Sequence, residues 1–389
     1  MRRGKIRLAF ISTIQTVSWG GSEELWALAA GQALASGNEV GIFVYEWMPM
    51  PPKLKALQEK GARIFYRKRH YRRKRLLDIL GRIARGAPGR DWFPSFSALK
   101  QFDPDVVCIT DAATWFSLTM TDLLSALRQL RKPYVLISQA NGIFHLPPER
   151  ETAQQFFNDA FCVVFVSEHN RLLAEHQLAS AIRNAVVLQN PVNLHELSPV
   201  PWPAAAGPAR LAVVARLVAS EKGQDILFRI LGRPEWQQRD YRLTLYGEGS
   251  DKNYLLRLAD HYKISDKLRF AGHVRDVRMI WAENELNVLP THVEGTPLSL
   301  LESMVCGRPS VVTNEGGNAE WITEGVTGFI AESATEKLFG EALEKAWLYR
   351  DRWREMGARA HDAALQKLDR SPGDSLLSIL LDAVAKKQN

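Results

Sequence analysis

Cysteine is scarce in this chain, and its few cysteines form no recognisable pattern. Cys108, Cys162 and Cys306 each lie inside an apolar run, and their spacing fits no metal-ligand motif. Cysteines of this kind are typical of reduced core residues in a cytosolic protein. We therefore expect three buried thiols and no zinc or other metal site.

Long hydrophobic runs are also missing. No stretch approaches the roughly 20 apolar residues of a membrane-spanning helix. Residues 1–5, followed by residues 8–11, have the charge-then-apolar order of a secretory signal, but the apolar part is too short, and Gly20 and Gly21 follow it. The sequence therefore predicts a cytoplasmic protein.

Acidic residues are nearly absent from one stretch of the chain. Residues 61–90 contain eleven Lys or Arg residues and one acidic residue, Asp78, in a chain with a formal net charge of +7. Such a run is often a solvated helix face or a flexible loop. The alternatives are docking on anionic lipid at the inner face of the membrane, at about 1 kcal/mol per basic residue, or binding of an anionic acceptor. We expect no nucleic-acid partner, because no nucleic-acid motif accompanies the charge.

The rest of the composition is that of a globular protein. Hydrophobic residues make up 46% and charged residues 24% of 389 residues, a length that suits two domains. Strand-like and helix-like segments alternate along each half, which predicts an α/β fold. Residues 198–208 contain four prolines and are the predicted linker between residues 1–197 and residues 209–373.

The first half opens in the manner of a Rossmann fold. Residues 5–13 are a predicted buried strand, and Gly20 and Gly21 separate it from the helix-like residues 25–30. A glycine pair permits positive φ and a close approach of a ligand to the backbone. From the residues alone, this loop is either a structural turn or a ligand-binding loop.

Further buried strands are predicted in the first half. They lie at residues 40–44, 104–109, 133–138, 163–168 and 186–192. Asp103 and Asp105 spell a two-carboxylate metal motif, but they precede a strand instead of following it, so we predict a turn. Gln139, Asn141 and His145 follow the strand at residues 133–138, at the carboxyl end where α/β sheets place ligands.

The second half of the chain also alternates between strand-like and helix-like segments. Strands are predicted at residues 211–216, 242–249, 268–274 and 286–289. Arg216 and Lys222 both fall between a strand end and a helix start. Each gains on the order of 4 kcal/mol of gross attraction to a phosphate oxygen at an effective dielectric near 20, much of it offset by desolvation. Considered as isolated basic residues, Arg216 and Lys222 do not by themselves indicate a phosphate-binding site.

The chain is organised around residues 292–307, a predicted strand end, tight loop and helix. We predict that Thr296 caps the helix, that Pro297 is its first residue and that Gly307 ends it. The partial positive charge of the helix N-terminus would then point into the crevice above the strands. An anion such as a phosphate fits that position.

Two carboxylates flank this helix start. Glu294 precedes it, and Glu302 lies about 7 to 8 Å of helical rise beyond Pro297. A carboxylate accepts two hydrogen bonds from a vicinal diol, so one could hold a sugar and the other a ribose. The alternative is that Glu294 is a solvated loop charge and Glu302 an exposed helix residue.

This stretch resembles the Glu-x7-Glu signature of the retaining nucleotide-sugar glycosyltransferases with the GT-B fold, in particular glycosyltransferase family 4. The matching residues are Glu294-Gly295-Thr296-Pro297, Glu302-Ser303-Met304, Cys306-Gly307-Arg308-Pro309, Glu315-Gly316-Gly317-Asn318 and Gly325-Val326-Thr327-Gly328. The resemblance implies two Rossmann-like domains facing across a cleft. It implies that residues 1–197 form the acceptor side, that residues 209–373 bind the donor, and that a helix at about 374–389 packs back on the first domain.

The resemblance also implies residue roles. Arg216 and Lys222 match the elements that hold the donor diphosphate, although Val214-Ala215 stands where a glycine is common. Glu302 would bind the ribose and Glu294 the hydroxyls of the donor sugar. The other implied donor-binding residues are Gly20, Gly21, His273, Val274, Gly295, Thr296, Pro297 and Leu298, of which Thr296 and Leu298 offer backbone N–H groups.

We therefore expect a metal-independent, retaining hexosyltransferase of polysaccharide biosynthesis. It would move a sugar from a nucleotide diphosphate-sugar, with UDP as the expected nucleotide, to a glycan or lipid-linked glycan. Two alternatives stay open. Family members often carry a histidine where Gln139 or Asn141 stands here, and His145 is a weaker substitute candidate. The loss of that histidine is compatible with a nucleotide-sugar sensor or an inactive partner subunit. A GT-B-fold sugar epimerase is the other alternative, although the Glu-x7-Glu pattern favours transfer.

Overall fold

Two parallel β-sheets, each covered by helices, make up the computed structural model, which describes residues 5–67, 96–204 and 207–387. We call the part built on the N-terminal sheet the first domain and the part built on the other sheet the second domain. The polypeptide passes from one to the other through residues 198–208, the segment that its prolines predicted as a linker. The exact domain boundaries remain a prediction.

The first sheet has seven strands in the order β3-β2-β1-β4-β5-β6-β7. They are β1 Arg7–Ser12, β2 Glu39–Tyr45, β3 Arg63–Arg67, β4 Val106–Ala113, β5 Tyr134–Ala140, β6 Cys162–Phe165 and β7 Ala185–Val187. The helices are α1 Glu24–Ala35, α2 Pro52–Glu59, α3 Ser97–Phe102, α4 Thr121–Leu130, α5 Arg150–Asp159 and α6 Glu168–Leu178. Side chains on both faces of the central strands are buried, because helices cover both faces of the sheet.

The second sheet has six strands in the order β10-β9-β8-β11-β12-β13. They are β8 Ala209–Val214, β9 Tyr241–Tyr246, β10 Leu268–Gly272, β11 Leu286–Leu289, β12 Ser310–Thr313 and β13 Gly328–Ala331. The helices up to the middle of the domain are α7 Ala219–Lys222, α8 Gln224–Leu231, α9 Pro234–Gln237, α10 Lys252–His261 and α11 Val277–Glu283. The later ones are α12 Leu298–Val305, α13 Asn318–Trp321, α14 Glu336–Leu348, α15 Trp353–Lys367 and α16 Pro372–Lys387.

The strand order reverses between β1 and β4 in the first sheet and between β8 and β11 in the second. In open parallel sheets, ligands bind at the carboxyl ends of the strands beside such a reversal. The loops that follow β1, β8 and β11 carry most of the residues that the sequence singled out. The topology therefore brings these loops to facing edges of the two sheets.

The last helix, α16, packs against α1 of the first domain. Leu376, Leu380 and Ala383 belong to the same buried cluster as Leu25 and Ala29. The preceding helix, α15, packs on α12 of the second domain instead. The chain therefore crosses twice between the two domains, once near residues 198–208 and once between α15 and α16.

The basic stretch at residues 61–90 departs from its prediction where it is described. It begins with an edge strand, β3, not with a solvated helix face or a loop. Arg67 is 3% exposed, and its guanidinium lies 4.1 Å from the ring centre of Tyr45, so it is not available to a lipid surface. Residues 68–90 lie outside the described residues.

Two local predictions in the first domain, the turn at Asp103 and the strand at residues 186–192, have different outcomes in the structure. Asp103 has a φ of 46° just before β4 and pairs with Arg7 at 2.6 Å and Lys132 at 3.2 Å, which confirms the predicted turn. The strand predicted at residues 186–192 is wrong beyond Val187, where β7 ends.

The cysteines and the helices can be checked in the same way. Cys108, Cys162 and Cys306 are buried and unpaired, as expected of core residues. In the described ranges, the helices lack the combination of length and apolarity that crossing a membrane requires. The same ranges contain no group of three side chains suited to hold a metal ion.

Candidate functional site

A cavity of about 720 Å³ lies between the two domains at the facing edges of the sheets. Its wall includes all of the residues that the sequence proposed for donor binding or catalysis. These are Gly20, Gly21, Arg216, Lys222, His273, Val274, Glu294, Gly295, Thr296, Pro297, Leu298 and Glu302. Residues far apart in the sequence therefore meet at one cavity, which we call the cleft.

Lys222 and Glu294 form an ion pair in the wall of the cleft. Lys222 ends α7, and its Nζ lies 2.6 Å from Glu294 Oε1 and 3.2 Å from the carbonyl oxygen of Val293. The two side chains are 13% and 14% exposed, so the pair is largely shielded from water. Glu294 therefore balances the charge of Lys222, and the alternative of a solvated loop charge is wrong for Glu294.

Arg216 is held less firmly. Its Nη2 lies 2.5 Å from Glu221 Oε2, and the two side chains are 41% and 40% exposed. An exposed ion pair of this kind contributes at most about 1 kcal/mol. The guanidinium can therefore leave Glu221 for an anion in the cleft at small cost.

The helix start at α12 differs from the prediction in one respect. Thr296 does not cap the helix, because its hydroxyl donates to the carbonyl oxygen of Val166 in the first domain at 2.6 Å. Pro297 is the N-cap, and the first helical residue is Leu298 instead of Pro297. Leu298 and Ser299 line the cleft, so the N–H groups of the first two helical residues, which stand too early in the helix to bond a carbonyl within it, lie at its wall.

The end of this helix agrees with the prediction. Gly307 has a φ of 81° and follows Cys306, the C-cap. The N–H of Gly307 donates to Met304 and the N–H of Arg308 to Ser303, the two bonds of a Schellman motif. The glycine therefore ends the helix as its sequence position indicated.

Glu302 is buried, being 5% exposed, which rules out the alternative of an exposed helix residue. Burial, with a smaller contribution from the nearby charge of Glu24, raises the pKa of Glu302 to about 8, while Lys53 opposes the shift. At neutral pH, its carboxyl group is therefore mostly protonated. In that form it both donates and accepts hydrogen bonds.

Gly21 and Gly295 are needed at the cleft for close approach, not for positive φ. Gly20 is extended, with a φ of −149°, and Gly21 begins a short 3-10 turn. A Cβ on Gly21 would lie 2.9 Å from Leu298 Cδ1, and a Cβ on Gly295 would lie 2.4 Å from the carbonyl oxygen of Gln139. Both positions bring the first domain against the loop and helix of the second.

Hydrogen bonds also cross between the domains at this loop. Asn170 Nδ2 donates to the carbonyl oxygen of Glu294 at 2.9 Å, and the N–H of His169 donates to Glu320 Oε1 at 2.9 Å. The bonds from Asn170 and Thr296 fix the loop that carries Glu294, and the bond from His169 ties the first domain to α13. The first domain therefore positions residues of the second.

The comparisons with known proteins agree with this geometry. Residues 208–348 match the sequence family of glycosyl transferases group 1. The match covers most of the second domain, and we call residues 208–348 the group 1 domain. Arg216, Lys222, Glu294 and Glu302 lie inside the group 1 domain.

Relatives of the group 1 domain align over part of their length. A glycogen synthase of Mycobacterium tuberculosis is 34% identical over 134 residues, covering 33% of this chain and 32% of the relative. An N-acetyl-alpha-D-glucosaminyl L-malate synthase of Bacillus anthracis is 32% identical over 130 residues, covering 33% and 34%. The chain thus matches about a third of the length of these curated relatives.

Solved structures resemble the whole chain. HepE of Anabaena, crystallised with UDP, superposes with a TM-score of 0.71 at 16% identity, covering 97% of this chain and 100% of that one. The likeness shows that the group 1 domain and the first domain together have the GT-B fold.

Outside the group 1 domain, the three polar residues Gln139, at the end of β5, and Asn141 and His145, which follow it, have different surroundings. Gln139 lines the cleft, and its side-chain amide pairs with that of Asn190 through two hydrogen bonds of 3.2 and 2.7 Å. Asn141 is buried and donates to Gln177 Oε1 at 3.0 Å. His145 lies at a smaller, adjoining cavity. The structure therefore places only Gln139 in the cleft.

The sequence analysis missed a group of residues that face the group 1 domain from the first domain. Trp19 lines the cleft, and its Nε1 donates to Glu24 Oε1 at 2.8 Å. Lys53 Nζ lies 2.5 Å from Glu24 Oε2. The signal was the pair Glu23-Glu24 at the start of an otherwise apolar helix. Burial raises the pKa of Glu23 to about 7.

Proposed function

We propose that the protein is a retaining glycosyltransferase. It moves a sugar from a nucleotide diphosphate-sugar, with UDP as the nucleotide, to a glycan or lipid-linked glycan. The observation that carries this proposal is the meeting of Arg216, Lys222 and the start of α12 at one cleft. The crystal structures of HepE with UDP and with UDP-glucose support the choice of nucleotide.

The cleft has the charges that a diphosphate leaving group needs. Two cations and the helix N-terminus surround one space, and preorganised donors of this kind stabilise charge that develops in a transition state. Glu302 holds the ribose on one side, and Glu294 holds the hydroxyls of the donor sugar on the other. Gly20 and Gly21 close over the phosphates, and His273 and Val274 contact the base.

The proposed step needs no dedicated base. The acceptor hydroxyl oxygen bonds to the anomeric carbon, and the bond from that carbon to the phosphate oxygen breaks. The electron pair stays on the departing phosphate, which takes the proton of the acceptor hydroxyl. The configuration is retained because acceptor and leaving group share one face of the sugar.

Metal independence, the cytoplasmic location and the division at residues 197 and 209 are part of the same proposal. The cationic side chains and the helix start supply the positive charge at the diphosphate. Activity that is unchanged in the presence of EDTA is the expected result. A strict requirement for added Mg²⁺ or Mn²⁺ would contradict it.

The test is the release of UDP from UDP-glucose, UDP-galactose and UDP-N-acetylglucosamine by the purified chain. We expect Lys222→Ala to lower the rate at least about 100-fold, the usual cost of removing a donor that stabilises transition-state charge. Because this change leaves Glu294 without its partner, the variant Lys222→Ala/Glu294→Gln serves as a second, electrically balanced test. Lys252→Ala, an exposed lysine of α10, is the matched control and is expected to keep the wild-type rate.

The outcomes separate the alternatives. Undiminished UDP release by both Lys222 variants, with wild-type thermal stability, would refute the assignment. Tight UDP binding with no turnover on any acceptor would favour a sensor or inactive subunit. Conversion of the sugar without an acceptor would favour an epimerase.

A further inference from the structure

A second cavity of about 330 Å³ adjoins the cleft. It shares Arg216, Lys222 and Glu294 with the cleft, so the ion pair stands between the two spaces. Most of its remaining wall comes from strand ends and loops of the first domain and is largely apolar, including Ala113 at the end of β4 and Phe116 after it. A group placed in this cavity would face the reacting end of a donor held in the cleft.

The loop after β5 carries an exposed apolar surface at the mouth of this cavity. Ile143, Phe144 and Leu146 are 61%, 89% and 57% exposed, and His145 between them lines the cavity. Single exposed apolar residues are common, but three in four consecutive positions form a patch that usually marks a binding surface. We call residues 143–146 the apolar loop.

The same edge of the first sheet has two further features that suit a lipid surface. Met48, in the loop after β2, is 89% exposed. The chain leaves the end of β3 at this edge, and its next residues in the sequence, 68–75, include six Lys or Arg residues and no acidic residue. An exposed apolar surface in a domain whose sequence also carries a run of positive charge suits an anionic bilayer, because the apolar side chains favour the acyl region and the positive charges favour anionic head groups.

We infer that the apolar loop inserts into a lipid bilayer and that the second cavity receives the hydroxyl-bearing end of a lipid-linked acceptor. This inference rests on the proposed function and chooses between the two acceptor classes that it left open. The lipid part of the acceptor stays in the bilayer, while its polar end reaches past His145 toward Lys222 and Glu294. The hydroxyl that attacks the donor therefore enters from the first domain.

The test is binding of the full chain to vesicles of phosphatidylcholine and phosphatidylglycerol, measured by sedimentation. Burying a Phe or Ile side chain is worth about 1.5–3 kcal/mol, and about 1.4 kcal/mol is a factor of ten. We expect Ile143→Ser/Phe144→Ser to bind vesicles at least about tenfold more weakly than wild type. Leu348→Ser, at an exposed leucine of α14 in the second domain, is the matched control and is expected to bind within about twofold of wild type.

Two further measurements separate this inference from its rivals. Apolar insertion persists in 0.5 M NaCl, whereas binding through charge alone is lost because salt screens it. Wild type, the double variant and the control should all show the same thermal shift with UDP. Without a UDP shift in wild type the proposed function fails, whatever the vesicle result.

The inference is overturned by any of three results. These are absence of vesicle binding by wild type, equal binding by wild type and the double variant, and complete loss of wild-type binding in 0.5 M NaCl. Self-association of wild type through the apolar loop, seen by analytical ultracentrifugation and removed in the double variant without any vesicle binding, would assign the loop to a protein interface instead.

Discussion

Glu302 is a carboxylic acid that its surroundings keep protonated. Burial is the main cause, and the charge of Glu24 adds to it. A protonated carboxyl group is able to donate to one ribose hydroxyl and accept from the other. The sequence indicated that one of the two carboxylates could hold a ribose, and the resemblance assigned that role to Glu302. The burial could have been anticipated from the helix, since Glu302 stands in an almost entirely apolar run.

The raised pKa of Glu302 predicts a pH dependence of stability. The pKa of Glu302 is about 8 in the folded state, against an ordinary value of 4.5. Between these two pH values, the folded chain keeps the Glu302 proton, whereas the unfolded chain has lost it. Wild-type stability therefore falls as pH rises through this window, by at most about 1.4 kcal/mol per pH unit from this group. Glu302→Gln has no carboxyl group to titrate at this position. Its free energy of unfolding relative to wild type should therefore increase from pH 5 to pH 8.

Urea unfolding at pH 5, 6, 7 and 8 measures this difference. Glu341→Gln, at an exposed position of α14, gives the effect of the same substitution on a helix surface. A stability difference between Glu302→Gln and wild type that stays constant with pH would show that the Glu302 proton is not held more tightly in the folded chain.

The pairing of Lys222 with Glu294 could not be predicted from the sequence. The two residues are 72 positions apart, and the resemblance gave them separate ligands, the diphosphate and the sugar. The contact depends on the loops after β8 and β11 lying side by side, which is a property of strand order. Sequence spacing predicted the residue types, and only the folded sheet brings them together.

The element that fixes the cleft is the loop between β11 and α12. Its helix end was predicted because Gly307 forms a local motif whose bonds span six residues. Its helix start was predicted wrongly because the hydroxyl of Thr296 bonds Val166, 130 residues away. Local capping signals are reliable only where no distant partner competes for the same side chain.

Gly295→Ala is expected to disturb this element. The added Cβ would lie 2.4 Å from the carbonyl oxygen of Gln139, a backbone atom that cannot swing aside. The loop would have to move from the first domain, with a loss of about 1–3 kcal/mol of stability, as for other overpacked sites. Because the start of α12 follows this loop and would move with it, UDP binding should weaken as well.

Thermal unfolding with and without UDP checks both effects. Gly31→Ala is the matched control, because its Cβ in α1 would meet Leu57 at an ordinary 3.7 Å. That control should be more stable than wild type by about 0.5 kcal/mol, since alanine favours a helix. Wild-type stability and UDP affinity in Gly295→Ala would mean that the close approach at Gln139 is not required.

At the scale of the whole molecule, the sequence predicted the architecture well. Alternating apolar strands and helices indicated two parallel sheets, and the structure has sheets of seven and six strands with the same kind of order reversal. The edge strand β3 was missed because its two arginines, Arg63 and Arg67, hid a strand in a basic run. Burial of Arg67 against Tyr45 depends on neighbouring strands that the local sequence does not reveal.

The contacts between the two domains could not be predicted from the sequence. The bond from Asn170 to Glu294 joins residues 124 positions apart, and α16 returns to α1 after the whole second domain. These contacts make the cleft a product of both domains, although the group 1 family covers only residues 208–348. The account therefore depends on charges of the second domain acting in a space that the first domain completes.

Calorimetric titration with UDP tests that dependence most directly. Uridine, which lacks phosphates, is titrated in parallel, and wild type is compared with Arg216→Ala/Lys222→Ala. The account predicts that UDP binds wild type, that the double variant binds UDP at least about 100-fold more weakly, and that uridine binds both equally weakly. Equal UDP affinity in the two proteins, or uridine binding as tight as that of UDP, would contradict it.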